Sequence, residues 1–342
     1  MQCTNSPVSR TRFTCPQVML YPLTDSSHIG LLIRPQRMWN TNIGSPTSMT
    51  QKLPGVWISS TAGRLGNQLC LYASLFSLAR LNGRQAYLCQ SSAKYLEPLF
   101  NLSLPHLPEN ENVNLTKYWL ENHMEESYKH ISLMRVHFTG HAQSWKFFDR
   151  YRNDIKREFT FLPIIRETTD TFLWSVAAKI HSQLSGANIT FVGMHVRRGD
   201  YVHIVPNQWK GVIADAGYLA KAMERMRGRY PDSVFVVASD DVTWCRHNIN
   251  VSRGDVYFVA DGIPRGSPGQ DLAVLAACNH SIMTLGTFGF WSAYLAGGDV
   301  IYLTKNFLPN SRFLNFFQYE AAYLPNWEGI PADLSQLTKK TT

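Results

Sequence analysis

Two α/β halves, each built on a parallel sheet, with a ligand between them, are what this sequence predicts, and three observations carry the prediction. From about residue 190 onward, unbroken apolar runs such as Val234-Phe235-Val236-Val237-Ala238 alternate with helical patterns, which is how strands buried on both faces of a parallel sheet read. A separate strand, glycine-punctuated turn, helix and strand begins at about Val56. The chain of 342 residues also exceeds the roughly 100 to 200 residues of an ordinary domain. The division read from these patterns is 1–54 as tail and stem, 55–187 and 188–333 as the two halves, and 334–342 as a tail.

Taken in order, residues 1 to about 54 are rich in Ser, Thr, Asn and Pro with little periodicity, as tails and stems are. Val56-Trp57-Ile58-Ser59-Ser60 is a short strand, and Gly63-Arg64-Leu65-Gly66-Asn67-Gln68 a turn. Leu65, Leu69, Tyr72, Phe76 and Ala79 then fall at helical spacing, closed by Asn82-Gly83, and Gln85 to Cys89 returns as a strand. Between about 90 and 146 no element is assigned, and 147 to 185 reads as mainly helical. Tyr201 to Asp215 reads as an irregular loop because of Pro206, Trp209 and Gly211. The rest alternates: helix Tyr218 to Tyr230, strand Val234 to Ala238, strand Val256 to Ala260, helix Gln270 to Cys278, strand Ser281 to Thr284, helix after Gly286 up to Gly297-Gly298, and strand Asp299 to Thr304.

Composition narrows the function. With 44% hydrophobic and 17% charged residues the chain is globular, and the 12% aromatic content suits a carbohydrate-facing surface as well as a core. A net charge of +8 favours an anionic partner such as a nucleotide. The basic residues are interspersed with acidic ones and no nucleic-acid-binding signature is present, so no nucleic acid is expected as a partner and a nucleic-acid binder is only a remote alternative. The six cysteines, Cys3, Cys15, Cys70, Cys89, Cys245 and Cys278, show no C-x-x-C spacing, and neither an Asp-x-Asp nor a His cluster suggests a metal. Cys245 and Cys278 either pair with each other or stay as buried thiols. Of five Asn-x-Ser/Thr triplets, Asn101, Asn114, Asn188 and Asn250 are glycosylation candidates, whereas Asn279 lies in an apolar segment and is expected to be buried. The best N-terminal apolar stretch, Val18 to Ile33, is interrupted by Pro22, Asp25 and His28 and falls short of the ~20 residues a membrane span needs.

The stretch around which the chain is organised is Phe191-Val-Gly-Met-His195-Val-Arg197-Arg198-Gly-Asp200-Tyr-Val202, a buried strand that stops abruptly at charged residues. Ligands of open α/β sheets bind outside the carboxyl ends of strands, and a guanidinium matches phosphate oxygens bidentately. Alternation along a strand sends Arg197 and Arg198 to opposite faces, one toward the crevice and one bracing the loop, most plausibly against Asp200. Two further strand ends are expected to join them: Ser239-Asp240, and Gly286-Thr287-Phe288 at a helix start, whose free N–H groups and Thr hydroxyl suit phosphate. Asp240 is either a helix N-cap or a ligand of the nucleoside, a role open to Asp241 as well. His195 either touches the donor or satisfies a backbone carbonyl.

His195-Val-Arg197-Arg198-Gly-Asp200 resembles the His-x-Arg-Arg-x-Asp signature of the α1,2-, α1,6- and protein O-fucosyltransferases, and Gly193 to Val202 is similar to the wording of the vertebrate galactoside α1,2-fucosyltransferases. Gly63 to Gln68 and Cys278-Asn-His-Ser-Ile-Met-Thr284, running into Gly286-Thr-Phe-Gly289, carry the resemblance further, and in all it covers roughly residues 56 to 333. It implies a GT-B-type fold of two Rossmann-like domains facing across a cleft, with 55–187 on the acceptor side and 188–333 binding GDP-fucose. It implies inverting transfer of L-fucose to the 2-hydroxyl of a terminal β-galactose without cofactor or metal, with Arg198 on the diphosphate and Arg198, Asp200 and His195 as catalytic candidates. Gly63, Arg64, Gly66, Asn67, Arg197, Ser239, Asp240, Gly286, Thr287 and Phe288 are the remaining donor-site candidates. The general base stays open among Asp200, Glu125, Glu126, Asp215 and His203. A Golgi membrane location with a signal anchor is implied too, although the first residues depart from that pattern. A fucosyltransferase-like binding protein without activity, or an enzyme with a different acceptor, are the alternatives.

Overall fold

The computed structural model describes residues 53–59, 63–109, 114–140, 142–183, 188–263 and 267–338. The predicted N-terminal tail, Cys3, Cys15 and the interrupted apolar stretch lie almost wholly outside them, and so does the 187 side of the predicted division.

The chain opens with β1 (Leu53–Ser59), α1 (Leu65–Leu81), β2 (Arg84–Ala86) and α2 (Gln90–Leu96). Then come β3 (Thr116–Leu120), β4 (Arg135–Gly140), α3 (Arg152–Glu158) and α4 (Pro163–Gln183). From β5 (Thr190–Val196) follow α5 (Tyr201–Asn207), α6 (Ala216–Arg229), β6 (Ser233–Ser239), α7 (Val242–Asn248) and β7 (Val256–Phe258). The last part comprises α8 (Pro268–Ala277), β8 (His280–Met283), α9 (Thr287–Ala296), β9 (Val300–Thr304), α10 (Tyr319–Ala322), β10 (Glu328–Pro331) and α11 (Ser335–Thr338).

Two sheets result, ordered β2-β1-β4-β3 and β10-β9-β8-β5-β6-β7, and the pairings between their strands are parallel. In the larger sheet the chain leaves β5 toward β6 and β7, then crosses back to lay β8, β9 and β10 on the other side. This is the 3-2-1-4-5-6 order of dinucleotide-binding sheets. The gap between the carboxyl ends of β5 and β8 is therefore the switch point where such sheets take their ligands.

The two sheets share a hydrophobic core. One cluster runs from Trp57 and Val136 of the smaller sheet through Leu69, Cys70 and Leu78 of α1 to Phe290, Trp291 and Tyr294 of α9, and all the described residues fall in one compact unit. Trp291 is fully buried; its ring stacks on Phe148 at 5.0 Å, meets Phe159 edge-on at 5.1 Å, and donates from Nε1 to Cys70 Sγ at 3.1 Å. Burial pushes the Cys70 thiol up to about 12, which keeps it a neutral packing group.

Several elements differ from the sequence reading, each for a reason that lies in packing. β3, β4, β10 and α2 were not anticipated: β3 is an edge strand with exposed Thr116, Lys117 and Trp119, so its apolar alternation is weak. The strand expected over Gln85–Cys89 is Arg84–Ala86, with Leu88 making only an isolated bridge to His106. Residues 201–207 are helical despite Pro206, because Val205 is locked into a cluster with Leu285 and Phe307 that offsets the poor local propensity. Val256–Ala260 is strand only to Phe258. Cys245 and Cys278 are free, buried thiols and do not pair. Asn279 is half-buried rather than buried, its amide oxygen accepting from the Phe191 N–H at 2.9 Å, while Asn101, Asn114, Asn188 and Asn250 are exposed. Among the described residues no helix is long and apolar enough to cross a membrane.

The shared core yields a first prediction. Trp291→Ala empties a site packed on all sides and should cost roughly 3–5 kcal/mol. Trp291→Phe, which keeps most of the ring and loses only the weak contact to sulfur, should cost less than half of that. Urea unfolding of both variants reads the difference, and equal losses would show that the hydrogen bond, not the packing, dominates.

Candidate active site at the ends of β5, β6 and β8

β5 ends at Val196, so Arg197 and Arg198 lie beyond the strand and their directions are set by what they bond to. The Arg197 N–H donates to Thr284 Oγ1 at 2.9 Å, tying the ends of β5 and β8, and the Arg198 N–H donates to Asp240 Oδ1 at 2.8 Å, tying β5 to β6. The Arg197 guanidinium donates from Nη1 to Asp240 and from Nη2 to Asp200, and lies 4.7 Å over the Tyr201 ring. Arg197 thus braces the loop, with Asp200 and Asp240 both drawn onto it. Gly199 (φ +29°) fits beneath this arrangement because a Cβ there would come within 2.4 Å of Asp240 Oδ2.

Arg198 is held differently. Its guanidinium lies 3.7 Å over the Trp244 ring, with Nε 3.4 Å from Asp241 Oδ2, and neither Nη has a hydrogen-bond partner among the described residues. A guanidinium fixed by stacking, with its fork unused, is prepared for a bidentate anion.

The other predicted residues occupy definite places. Asp241, not Asp240, caps α7, accepting the Trp244 N–H at 3.0 Å, and Ser239 Oγ accepts the Asp241 N–H at 2.9 Å. His195 is buried against Phe288 at 4.9 Å, and its Nδ1 has no hydrogen-bond partner. Burial, with the Arg197 charge adding to it, depresses its pKa to about 3, so the ring is neutral at ordinary pH. A Cβ at Gly289 would come within 2.7 Å of that nitrogen, which makes His195 a packing partner of the first turn of α9.

That first turn also meets α1. Asn67 Oδ1 accepts from Thr287 Oγ1 at 2.7 Å, and a Cβ at Gly66 would sit 2.6 Å from the Phe288 nitrogen, so only glycine permits the approach. Gly63 (φ +84°) and Gly286 (φ +101°) supply backbone turns that a side chain would strain. Arg64 is exposed at the start of α1, and its charge is felt at Tyr201. Free N–H groups of two helix starts therefore adjoin the switch point, a ready anion site.

Two cavities flank these residues. One, of about 370 Å³, lies at the ends of β6 and β7 and is lined by Ser239, Asp240, Asp241, Thr243, Ile263 and Asp271. Asp271 escaped the sequence reading because it sits unremarkably in the first turn of α8. Unlike Asp240 and Asp241, its carboxylate has no hydrogen-bond partner among the described residues, and burial raises its pKa from 3.8 to about 6. The other cavity, of about 480 Å³, opens beside Asn67, Gly286 and Thr287 and is walled largely by aromatic rings. None of the general-base candidates lines it. Asp215 caps α6, accepting the Tyr218 N–H at 2.7 Å; Glu126 pairs with Lys129 and Glu125 lies 3.6 Å from His123, while His203 is exposed on α5. No three His, Cys, Asp or Glu side chains are grouped as metal ligands among the described residues.

Residues 28–331 match the model of Glycosyl transferase family 11. The chain belongs to that family. Among its family 11 relatives, the galactoside alpha-(1,2)-fucosyltransferase 2 of Mus musculus is 51% identical over 297 residues, covering 86% of this chain and 84% of that one. That of Bos taurus is 44% identical over 341 residues, covering 96% and 97%. Among solved structures, a NodZ alpha-1,6-fucosyltransferase soaked with GDP-fucose matches with a TM-score of 0.46 and 15% identity, covering 71% of this chain and 93% of that one. Within the site, Arg197 and Arg198 are adjacent in sequence but bonded differently.

Their different bonding predicts different phenotypes in the absence of ligand. Arg197→Ala strips two charge-assisted hydrogen bonds from partly exposed carboxylates and should lower stability by about 2–3 kcal/mol. Arg198→Ala loses one stacking contact and one long, partly exposed contact to Asp241 and should lower it by about 1 kcal/mol. Unfolding in urea without nucleotide checks the order, and a larger loss at Arg198 would contradict the assignment of Arg197 as the brace.

Proposed function

We propose that the protein transfers L-fucose from GDP-β-L-fucose to the 2-hydroxyl of a terminal β-galactose, with inversion to an α1,2 linkage. The single observation that carries the site assignment is Arg198, held by Trp244 with both Nη groups unused just past the carboxyl end of β5, the strand that pairs with β8 ahead of α9. In this reading the β-phosphate lies between Arg198 and the N–H groups at Thr287 and Phe288. As the glycosidic C–O bond breaks, the charge gathering on the phosphate is met by fixed donors in place, which costs no reorganisation. Arg197, already neutralised by Asp200 and Asp240, keeps the loop in position without touching the donor.

The nucleoside occupies the cavity at the ends of β6 and β7. Asp271 accepts the N1–H and N2–H₂ donors of guanine there, a pairing that a carboxylate can make and that Asp240 and Asp241, already bonded, leave to it. The sheets β2-β1-β4-β3 and β10-β9-β8-β5-β6-β7 serve as two Rossmann-like halves of a GT-B arrangement, 55–187 toward the acceptor and 188–333 toward the donor. The expected location is the Golgi membrane with the catalytic part in the lumen, by likeness to the galactoside fucosyltransferases.

Labelled fucose transfer from GDP-fucose to a simple β-galactoside tests the activity. Transfer that persists with chelator present and drops at least a hundredfold in Arg198→Ala agrees with the proposal. A folded wild-type protein that binds GDP but transfers to no β-galactoside would instead be a binding protein or an enzyme of another acceptor.

Asp271 adds a pH dependence. Its free-state pKa of about 6 lies above the ordinary 3.8, so protonation favours the folded apo protein. That contribution is full below about pH 4 and is lost as pH rises through about 6. Guanine binds the carboxylate, so GDP affinity should be level above about pH 6 and fall about tenfold per unit below it. Calorimetric titration across this range checks the slope, and Asp271→Asn should both weaken binding and abolish the slope.

A further inference from the structure

The larger cavity, of about 480 Å³, has a composition that narrows what it can hold. Its polar lining consists of Asn67, Asn122, Gln143, Ser144, Thr287 and Gln318, with backbone and tyrosine groups, and among the described residues no Asp, Glu, Lys, Arg or His lines it. Amides and hydroxyls that both donate and accept suit the vicinal hydroxyls of a neutral polyol, while an anionic ligand would find no counter-charge. The floor is shared with the junction of α1 and α9, because Asn67, Gly286 and Thr287 belong to both. A ligand in the cavity therefore abuts the proposed diphosphate site.

The rim carries two large aromatic side chains that are each more than half exposed. Trp119 on the edge strand β3 is 57% exposed and Phe316 is 61% exposed. The segments bearing them are joined: Asn122 Nδ2 donates to the Phe316 carbonyl oxygen at 2.6 Å. The Phe316 segment is stiffened by rings, with Phe313 stacked on Trp209 at 4.1 Å and on Phe317 at 5.2 Å. Exposed aromatic rings beside a cavity lined with uncharged polar groups are the surface on which the C–H faces of pyranose rings pack.

We propose that this cavity is the acceptor subsite, that it takes at least the two outermost rings of an uncharged β-galactoside, and that Trp119 and Phe316 are specificity-determining residues covering the ring next to the galactose. The proposal rests on the fucosyltransferase reading of the neighbouring site. The terminal galactose enters toward Asn67 and Thr287, and the second sugar lies at the rim, where Trp119 and Phe316 replace its water contacts.

The test uses the full chain and two acceptors, methyl β-galactoside and lactose, with KM measured for each and GDP affinity measured by calorimetry as a check of folding. Wild-type enzyme should prefer lactose. Trp119→Ala and Phe316→Ala should each cut the lactose-to-methyl-galactoside preference in kcat/KM about fivefold to tenfold, acting through KM. Trp119→Phe and Phe316→Tyr, which keep a ring, should restore most of it. A wild-type enzyme that transfers fucose while both alanine variants keep the full lactose preference overturns the subsite alone. Absence of transfer to either galactoside by a wild-type chain that binds GDP overturns the galactoside reading, and the subsite with it.

Discussion

The site depends on one arginine being spent so that its neighbour can be left free. Three parallel strands end side by side with their last backbone groups and nearby acidic side chains at one crevice, and such an end is stable only if those groups find partners. Arg197 supplies them: its N–H goes to Thr284, and its guanidinium goes to Asp240 and Asp200. The ends of β5, β6 and β8 and the start of α5 are thereby fixed to one another. Two negative charges beside the proposed anion site are also neutralised, and without that they would repel the diphosphate the proposal places there. Arg198 then adds its charge without an equal counter-charge at its fork.

The second constraint is steric. The start of α1 reaches the start of α9 only because Gly66 lacks a side chain, and Asn67 and Thr287 hydrogen bond across the contact. The aromatic core around Trp291 continues the same contact behind it. The proposed anion site is in this way built on closely packed elements, which would hold donors at fixed distances while charge develops.

How far the sequence could be read follows from how local each signal was. The strands β5 and β6 and the helices α1, α6, α8 and α9 announce themselves through apolar runs and helical spacing, since each is buried against the sheet along most of its length. The edge strand β3 and the short α5 do not, because one is half in solvent and the other holds Pro206 in place through Val205 and its tertiary neighbours. The two arginines, the glycine turns and Thr287 were legible as residue types suited to phosphate. Asp271 was not, since a carboxylate in the first turn of a helix is ordinary until the cavity around it is seen.

By itself the sequence determined the parallel α/β class, the cluster of charge after β5 and the family resemblance, because these rest on periodicity and on contiguous residues. The resemblance implies Arg198 for the diphosphate, but tertiary structure alone showed by what bonding Arg197 braces and Arg198 stays open, for that depends on Asp240, Asp241 and Trp244, more than forty residues away. It alone decided, too, that His195 is a neutral buried ring and that Cys245 and Cys278 stay apart as thiols. The aromatic rim is the clearest instance: Trp119 and Phe316 lie almost two hundred residues apart and share one cavity only because β3 and the segment before α10 are folded against each other. Chain order carries no measure of that distance; the packing of the two sheets on a common core does.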